Sequence, residues 1–480
     1  MPEVFCYFLR DVVYITTTNQ LGEANVLYYL LILADMAHRK VLLITLEPVA
    51  QQMAGPAIRA VELGKELARD FDVTVFSPRE TDVSAADLSP LSSFKLATGA
   101  RPVLYECAEN ADVLFVQGNV LKAYPRLSRL GKYLAVDLYD PYLLSVLAQY
   151  AEDTVSSAAS YNLMHQVLER HMVNADFSVC ASERQRDYWL GRYCALGRLT
   201  PDVYREDPTF RRLIDVVPFG LPAADPVAQG PGAKGHVKGI DKDDFLLLWG
   251  GGIWEWFDPL TVIRAVGALA PAYPQLKLYF MGFKSPNPQV DVMPMARRSL
   301  ELAKELNLLD KHVFFCETWT PYAQRVNYLL DADAAVSAHF DVLETRFSFR
   351  TRILDYLWAG LPVLSTRGDQ LADDIQEMNA GVSLPFEDVG AWAEAIKRLI
   401  EDRELTKTFA ENSKQLARKY RWDQVVSPLR QFCAEPHRLP SFKRVRMPSL
   451  LQRAHAVYSR GGKDLVLRRG KEVLHDLLGR

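Results

Sequence analysis

The chain passes twice through one pattern: short runs of β-branched and leucine residues alternate with longer stretches of helical period, and a glycine-rich interval separates the two passes. Strands that read as continuous apolar runs are buried on both faces, so this alternation builds a parallel sheet covered by helices. In the first pass the predicted strands are residues 41–45, 73–76, 113–116, 133–136, 177–180 and 214–217, with helices that include 57–69, 142–150 and 184–195. In the second they are 245–249, 276–280, 313–316, 334–337, 363–365 and 382–384, with helices at 259–270, 295–306 and 392–400. Residues 223–242 hold four Gly and two Pro with no period of either kind, and form the predicted interdomain linker. A chain of 480 residues exceeds what one core supports, so two Rossmann-like domains are expected, with a ligand cleft between the carboxyl edges of their sheets. The predicted boundaries are an N-terminal extension at 1–38, to which no function is assigned, a first domain at 39–222, the linker, a second domain at 243–420, a last helix at 421–435 and a tail at 436–480.

Composition narrows the class. With 49% hydrophobic and 24% charged residues, the chain reads as a soluble globular protein. Cys6, Cys107, Cys180, Cys194, Cys316 and Cys433 are scattered singly, as expected of reduced thiols in a cytosol rather than a zinc site or disulfide scaffold. The longest uninterrupted apolar run, 26–34, falls short of the roughly 18 residues needed to span a bilayer, and no secretory signal is recognisable. The net charge of −3 conceals an asymmetry: from Pro436 to Arg480 there are 11 Lys and Arg against 3 Asp and Glu, a net +8 that leaves −11 on the rest. An acidic body with a basic tail argues against nucleic acid as partner and for an anionic surface met by the tail.

Three segments carry candidate chemistry. Gly55, followed by Pro56 and, four residues on, Arg59, opens a helix after the first strand, and such a helix start aims free N–H groups at an anion. Gly250, Gly251 and Gly252 follow the first strand of the second domain and let a ligand approach bare backbone; Trp254, Trp256 and Phe257 come next, a cluster suited to interdomain packing, to stacking on a base or to lining an acceptor site. The most informative stretch runs from Glu344 to Pro362. A helix predicted to start near Ser348 would aim its amino end and Arg346, Arg350 and Arg352 at one place, with Asp355 on the face shared by Ser348 and Thr351. That suits a nucleoside diphosphate: the helix start and guanidinium groups neutralise the diphosphate, and the carboxylate accepts ribose hydroxyls. In the first domain Asp137 or Asp140, at a strand end, is a candidate to orient an acceptor hydroxyl, with an ordinary helix cap as the alternative. The Asp331-Ala332-Asp333 triplet is read as a cap rather than a metal site, and His165 and His171, six apart, do not share one helix face; no metal and no cofactor are expected.

The run LDYLWAGLPV around Asp355, the stretch MAGPAIRAVELGKELA from Met53, VVPFGLP from Val216 and GVSLPFEDVGAWAEAIKRLIEDREL from Gly381 resemble the family-4 (group 1) retaining glycosyltransferases of bacterial type with the GT-B fold. The resemblance covers about residues 40–433, including a last helix near 422–432 that crosses back onto the first domain. It implies a glycosyltransferase moving a sugar from a nucleotide-sugar donor to a glycan or lipid-linked acceptor in cell-surface polysaccharide synthesis, with donor in the second domain and acceptor in the first. Donor binding then falls to Gly55, Gly251, Gly252, Arg346, Ser348, Thr351 and Asp355, catalysis to Arg350, Arg352, Glu344 and Asp140, and the acceptor side to Arg59 and Asp137. Two departures stand out. The family's two acids lie a fixed distance apart; Asp355 matches the second, Phe347 occupies the first, and Glu344 is the acid nearest to hand in a shifted register. The family's phosphate-holding Arg and Lys correspond here to Gly252 and Phe257, which leaves Arg346, Arg350 or Arg352 to supply that charge. The alternatives are a sugar-nucleotide epimerase of the same fold and an inactive GT-B scaffold subunit. The expected location is the cytoplasmic face of a membrane, held peripherally through the amphipathic tail.

Overall fold

The computed structural model describes residues 39–50, 53–79, 94–150, 154–283, 292–316 and 324–440, the backbone of an N-terminal hairpin, and short pieces elsewhere (83, 320–321, 455, 458, 462–468 and 471). The hairpin pairs β1 (Phe5–Leu9) with β2 (Val12–Thr16), antiparallel. The remainder is two parallel sheets. The first contains β3 (Lys40–Ile44), β4 (Asp72–Ser77), β5 (Lys95–Thr98), β6 (Val113–Val116), β7 (Tyr133–Asp137), β8 (Phe177–Cys180) and β9 (Ile214–Val216), ordered β5-β4-β3-β6-β7-β8-β9. The second contains β10 (Phe245–Trp249), β11 (Leu276–Phe280), β12 (Val313–Phe315), β13 (Ala334–Ser337), β14 (Val363–Thr366) and β15 (Gly381–Leu384), ordered β12-β11-β10-β13-β14-β15. This is the GT-B arrangement of two Rossmann-like domains.

β3, β6, β7 and β10 form where the sequence offers four or five apolar residues in succession. In β6, β8, β11 and β13 every residue is buried, as a central strand flanked by helices requires. β5 escaped the sequence reading because it is an edge strand, KLAT, with no residue fully buried and a single large apolar side chain. The topology then places the sites. Chain order reverses between β3 and β6, where Ile44 lies opposite Val116, and between β10 and β13, where Leu247 lies opposite Ala334. A crevice opens beyond the carboxyl ends of strands at such a reversal. The segments leaving β3, β6, β10 and β13 therefore face the cleft.

Two chain crossings join the domains. The predicted last helix is two short ones, Trp422–Val425 and Ser427–Ala434, because Pro428 has no N–H to continue the first. They dock on the first domain: Phe432 stacks on Phe177 at 4.9 Å, Arg430 reaches Asp70 at 2.9 Å, and Trp422 lies against Phe219 at 5.0 Å. Gly220 makes room for that indole, since a Cβ there would stand 2.4 Å from the ring. Across the cleft, Arg184 bonds the Gly368 carbonyl and the Asp373 carboxylate, and Tyr188 lies 5.0 Å from Phe347. Asp331 and Asp333 are not caps. Asp331 accepts from the Lys234 backbone N–H at 2.5 Å, and Asp333 accepts from Lys234 Nζ at 2.6 Å and from the Leu246 N–H at 2.7 Å, so both carboxylates fasten the linker to the second sheet.

Candidate active site

The segment expected to be one helix from Ser348 is broken. Helix Leu343–Phe347 ends, residues 348–350 leave the helical conformation, and a second helix, Thr351–Trp358, begins. Ser348 is extended (φ −76°, ψ 159°) and its Oγ donates to the Thr345 carbonyl at 3.0 Å. The interleaved aromatic explains the break: Phe349 turns inward, 7% exposed, and packs edge-on against Tyr420 at 5.7 Å, an apolar anchor that a continuous helix would not place there. Asp355 consequently shares its face with Thr351, one turn away, and not with Ser348.

The three arginines part company. Arg346 is exposed against Phe347 and lines neither cavity of the cleft. Arg350 is buried and its two terminal nitrogens donate to Glu344, at 3.1 Å from Nη1 to Oε1 and 2.6 Å from Nη2 to Oε2, a closed bidentate pair. Among the described residues Arg352 has no carboxylate partner. Its guanidinium lies 3.9 Å over the Phe257 ring and 5.1 Å from the Trp249 ring, and Nη2 donates to the Gly252 carbonyl at 2.7 Å. Nη1 is buried without a hydrogen-bond partner. Burial, opposed by the Tyr356 hydroxyl and reinforced by the Arg350 charge, pushes Arg352 down to about 10. Gly251, at φ +73°, turns the backbone past this group in a conformation that favours glycine. Phe257, which replaces a family cation in sequence, thus becomes the platform for a cation delivered from the Thr351–Trp358 helix.

Two adjoining cavities share Tyr139, Trp254, Thr351 and Arg352. The larger, about 550 Å³, is walled by Gly55, Gly250, Gly251, Gly252, Arg325 and Asp355 among others. Asp355 receives Arg325 Nε on both oxygens, at 3.1 and 3.2 Å, and its side chain keeps 30% of its surface open. Arg325 was not foreseen; nothing in sequence spacing ties it to a residue thirty positions on. Tyr356 accepts from the Gly250 N–H at 2.7 Å and donates to the Val336 carbonyl at 3.1 Å, fixing the glycine turn to β13. The smaller cavity, about 190 Å³, brings Asp140 together with Glu344, Ser348 and Arg350 under Trp254 and Trp256, which stack at 5.7 Å. Burial, opposed by the Ser145 hydroxyl at 3.0 Å and reinforced by Glu344, pushes Asp140 up to about 6.

Arg59 and Asp137 lie deeper. Arg59 Nε and Nη2 donate to Asp137 at 2.7 and 3.1 Å, the other guanidinium bonds go to the Pro218 and Val217 carbonyls, and Gln117 donates to Asp137 at 3.1 Å. Both side chains are almost wholly buried and line neither cavity. The geometry makes them a brace under Tyr139, 5.2 Å from the Arg59 guanidinium, rather than direct contacts to an acceptor. Among the described residues, no group of three or more His, Cys, Asp or Glu side chains gathers in a way that could hold a metal.

Residues 236–416 match the family described as Glycosyl transferases group 1. A D-inositol 3-phosphate glycosyltransferase of Saccharomonospora viridis is 24% identical over 228 residues, 45% of this chain and 51% of that protein, so the chain spans about half the length of the curated relatives it matches. Among solved structures, a sucrose-phosphate synthase from Thermosynechococcus elongatus superposes with a TM-score of 0.57 at 18% identity, covering 82% of this chain and 98% of that one. Anabaena HepE in complex with UDP-glucose does so with a TM-score of 0.56 at 16% identity, covering 83% and 99%. These likenesses carry the fold.

Proposed function

We propose that this chain, whose second domain belongs to the group 1 glycosyl transferases, transfers a sugar from a nucleotide-sugar donor onto an acceptor hydroxyl with retention at the anomeric carbon, without a metal or cofactor. The observation that carries the reading is Arg352: a guanidinium is costly to desolvate without a counter-charge, and this one is held rigidly beside bare glycine backbone at a helix start. An anionic diphosphate at that place supplies the missing charge.

In this mechanism the larger cavity takes the nucleoside diphosphate, with Asp355 accepting from the ribose and Gly251 and Gly252 passing close to the phosphates. The smaller cavity takes the reacting sugar. The bond from the anomeric carbon to the diphosphate oxygen breaks with its electron pair going to that oxygen, where Arg352 and the Thr351 helix start stabilise the developing charge. The acceptor oxygen bonds to the same carbon, and its proton passes to the Asp140 carboxylate. The Arg184 contacts across the cleft hold it closed against water.

The binding half of this reading is tested on Asp355→Asn with nucleoside diphosphates. Loss of a charged acceptor is worth about 1.5–3 kcal/mol, so affinity falls at least about tenfold while the far-ultraviolet dichroism stays unchanged. Unchanged affinity for every nucleoside diphosphate contradicts it. Asp140 gives a second test through pH. Because its carboxyl is held near 6, the fraction able to accept a proton rises through pH 6. Transfer should therefore fall on the acid side with a midpoint near that value, and Asp140→Asn should abolish the limb along with most of the rate.

The acceptor in this proposal is lipid-linked and the enzyme is peripheral on the cytoplasmic face of a membrane. No helix among the described residues is long and apolar enough to cross one. In the described parts of the basic tail, Tyr458 and Leu467 are 52% and 65% exposed, apolar groups on offer beside Lys463 and Arg468. Each basic residue near anionic lipid contributes about 1 kcal/mol, and screening over roughly 8 Å keeps the acidic body from cancelling it. The full chain should sediment with anionic vesicles at low salt and leave them at high salt, whereas a chain ending at Pro440 should stay in solution; equal behaviour of the two removes the tail from the account.

A further inference from the structure

Where the chain passes twice between the domains, a third cavity of about 660 Å³ opens, sharing Leu221 with the larger cavity of the cleft. The linker forms one wall, the end of helix Thr351–Trp358 the floor, and helix Arg403–Lys419 with its continuation the other wall. The crossings are stitched together at its edge: the Leu221 N–H donates to the Tyr420 carbonyl at 2.7 Å and the Trp422 N–H to the Leu221 carbonyl at 2.9 Å.

The charges on its walls are unbalanced. Lys414 and Arg418 stand four apart on one helix face, where like charges repel, and neither makes a salt bridge among the described residues. The Lys414 stem is seated over Gly360, where a Cβ would come within 2.4 Å of it, so the ammonium is carried by a packed chain rather than a free one. Arg421 adds a third cation; one nitrogen touches Asp423 at 3.3 Å and Nε is buried without a hydrogen-bond partner. Asp225 is the sole acid among the lining residues. Beside the cations lie apolar surfaces: Leu330, 40% exposed, and Trp358, whose Nε1 donates to the Ala224 carbonyl of the linker at 2.8 Å.

We propose that this hinge cavity is a second ligand site, for a soluble phosphorylated small molecule whose phosphate meets Lys414, Arg418 and Arg421 and whose organic body lies on Trp358. Lys414, Arg418 and Arg421, set against Asp225 on the wall and Asp423 beside Arg421, leave a net positive charge for a phosphate, for which arginine forks provide paired donors. The site stands whatever the cleft binds. Its position gives it a lever on the cleft, because the Trp358 ring carries the Arg325 guanidinium at 5.3 Å and Arg325 in turn holds Asp355. A ligand that fixes Trp358 biases that carboxylate, and by reciprocity occupancy of the cleft changes affinity at the hinge.

Pyrophosphate titrated into the full chain at low ionic strength, followed by tryptophan emission, tests the site. The expected response has a component that Trp358→Phe removes, and K414Q/R418Q weakens that component at least tenfold. R297Q/K304Q, which removes the same charge from the exposed face of helix Pro294–Glu305, leaves it unchanged. The proposal is overturned if Trp358→Phe leaves the whole response intact, if K414Q/R418Q binds as the wild type does, or if R297Q/K304Q weakens binding equally, which marks diffuse attraction to a charged surface.

Discussion

Replacing Arg352 with alanine is expected to lower transfer about 100- to 1,000-fold, the loss of roughly 2.7–4 kcal/mol typical of removing a fixed donor from a developing charge. The effect should fall on turnover more than on the affinity for the intact donor, because the diphosphate gains negative charge as the sugar leaves. Folding should survive. The guanidinium lies over aromatic rings and makes one backbone hydrogen bond, so its removal leaves no buried carboxylate behind. Arg352→Lys restores the charge without the planar contact to Phe257 and should recover only part of the rate. Steady-state rates with saturating donor settle it, and a wild-type rate in Arg352→Ala takes the phosphate site away from this helix.

Arg350→Ala should fail differently. Its partner Glu344 is 4% exposed, and removing one member of a buried pair leaves an uncompensated charge at a cost of about 3–5 kcal/mol. That is a large part of the stability of an ordinary domain. The same change frees Glu344 beside Asp140, which already feels its charge. The variant should therefore show both an earlier urea midpoint and little transfer. The double change Arg350→Met with Glu344→Met, apolar on both sides, should regain most of the midpoint without the activity. If Arg350→Ala keeps its midpoint and loses only rate, the arginine meets substrate directly and the pair with Glu344 is incidental.

The contrast between these two residues shows where sequence reading reaches and where it stops. The paired sheets were legible because a strand buried on both faces favours an apolar run, and β6 and β10 provide an unbroken one in each sheet. β5 was not, because an edge strand needs no such run. The cluster at 344–355 was legible as a cluster, since three arginines amid aromatics are an improbable solvated face. Its internal assignments depended on a break in the helix at 348–350 that local propensity does not encode; it follows from Phe349 finding Tyr420, seventy-one positions later. The same holds for Arg325 and Asp355, and for Arg59 and Asp137: each is a pairing of distant residues, which tertiary packing decides. Phe257 carries the opposite lesson. The resemblance sets Phe257 at the position of a family cation and leaves the charge to Arg346, Arg350 or Arg352; the ring lies under Arg352, a cation from another element.

The central claim, sugar transfer from a nucleotide donor, is tested most directly by incubating the full chain with a panel of nucleotide sugars, with and without glycan and lipid-linked acceptors, and measuring nucleoside diphosphate release alongside the fate of the sugar. Release is expected to depend on acceptor, with the sugar recovered on it in the donor's anomeric configuration. Isomerised donor without release would assign the cleft to an epimerase, and no turnover with any donor and acceptor, from a chain that still binds nucleoside diphosphate, would make it a scaffold and contradict the claim.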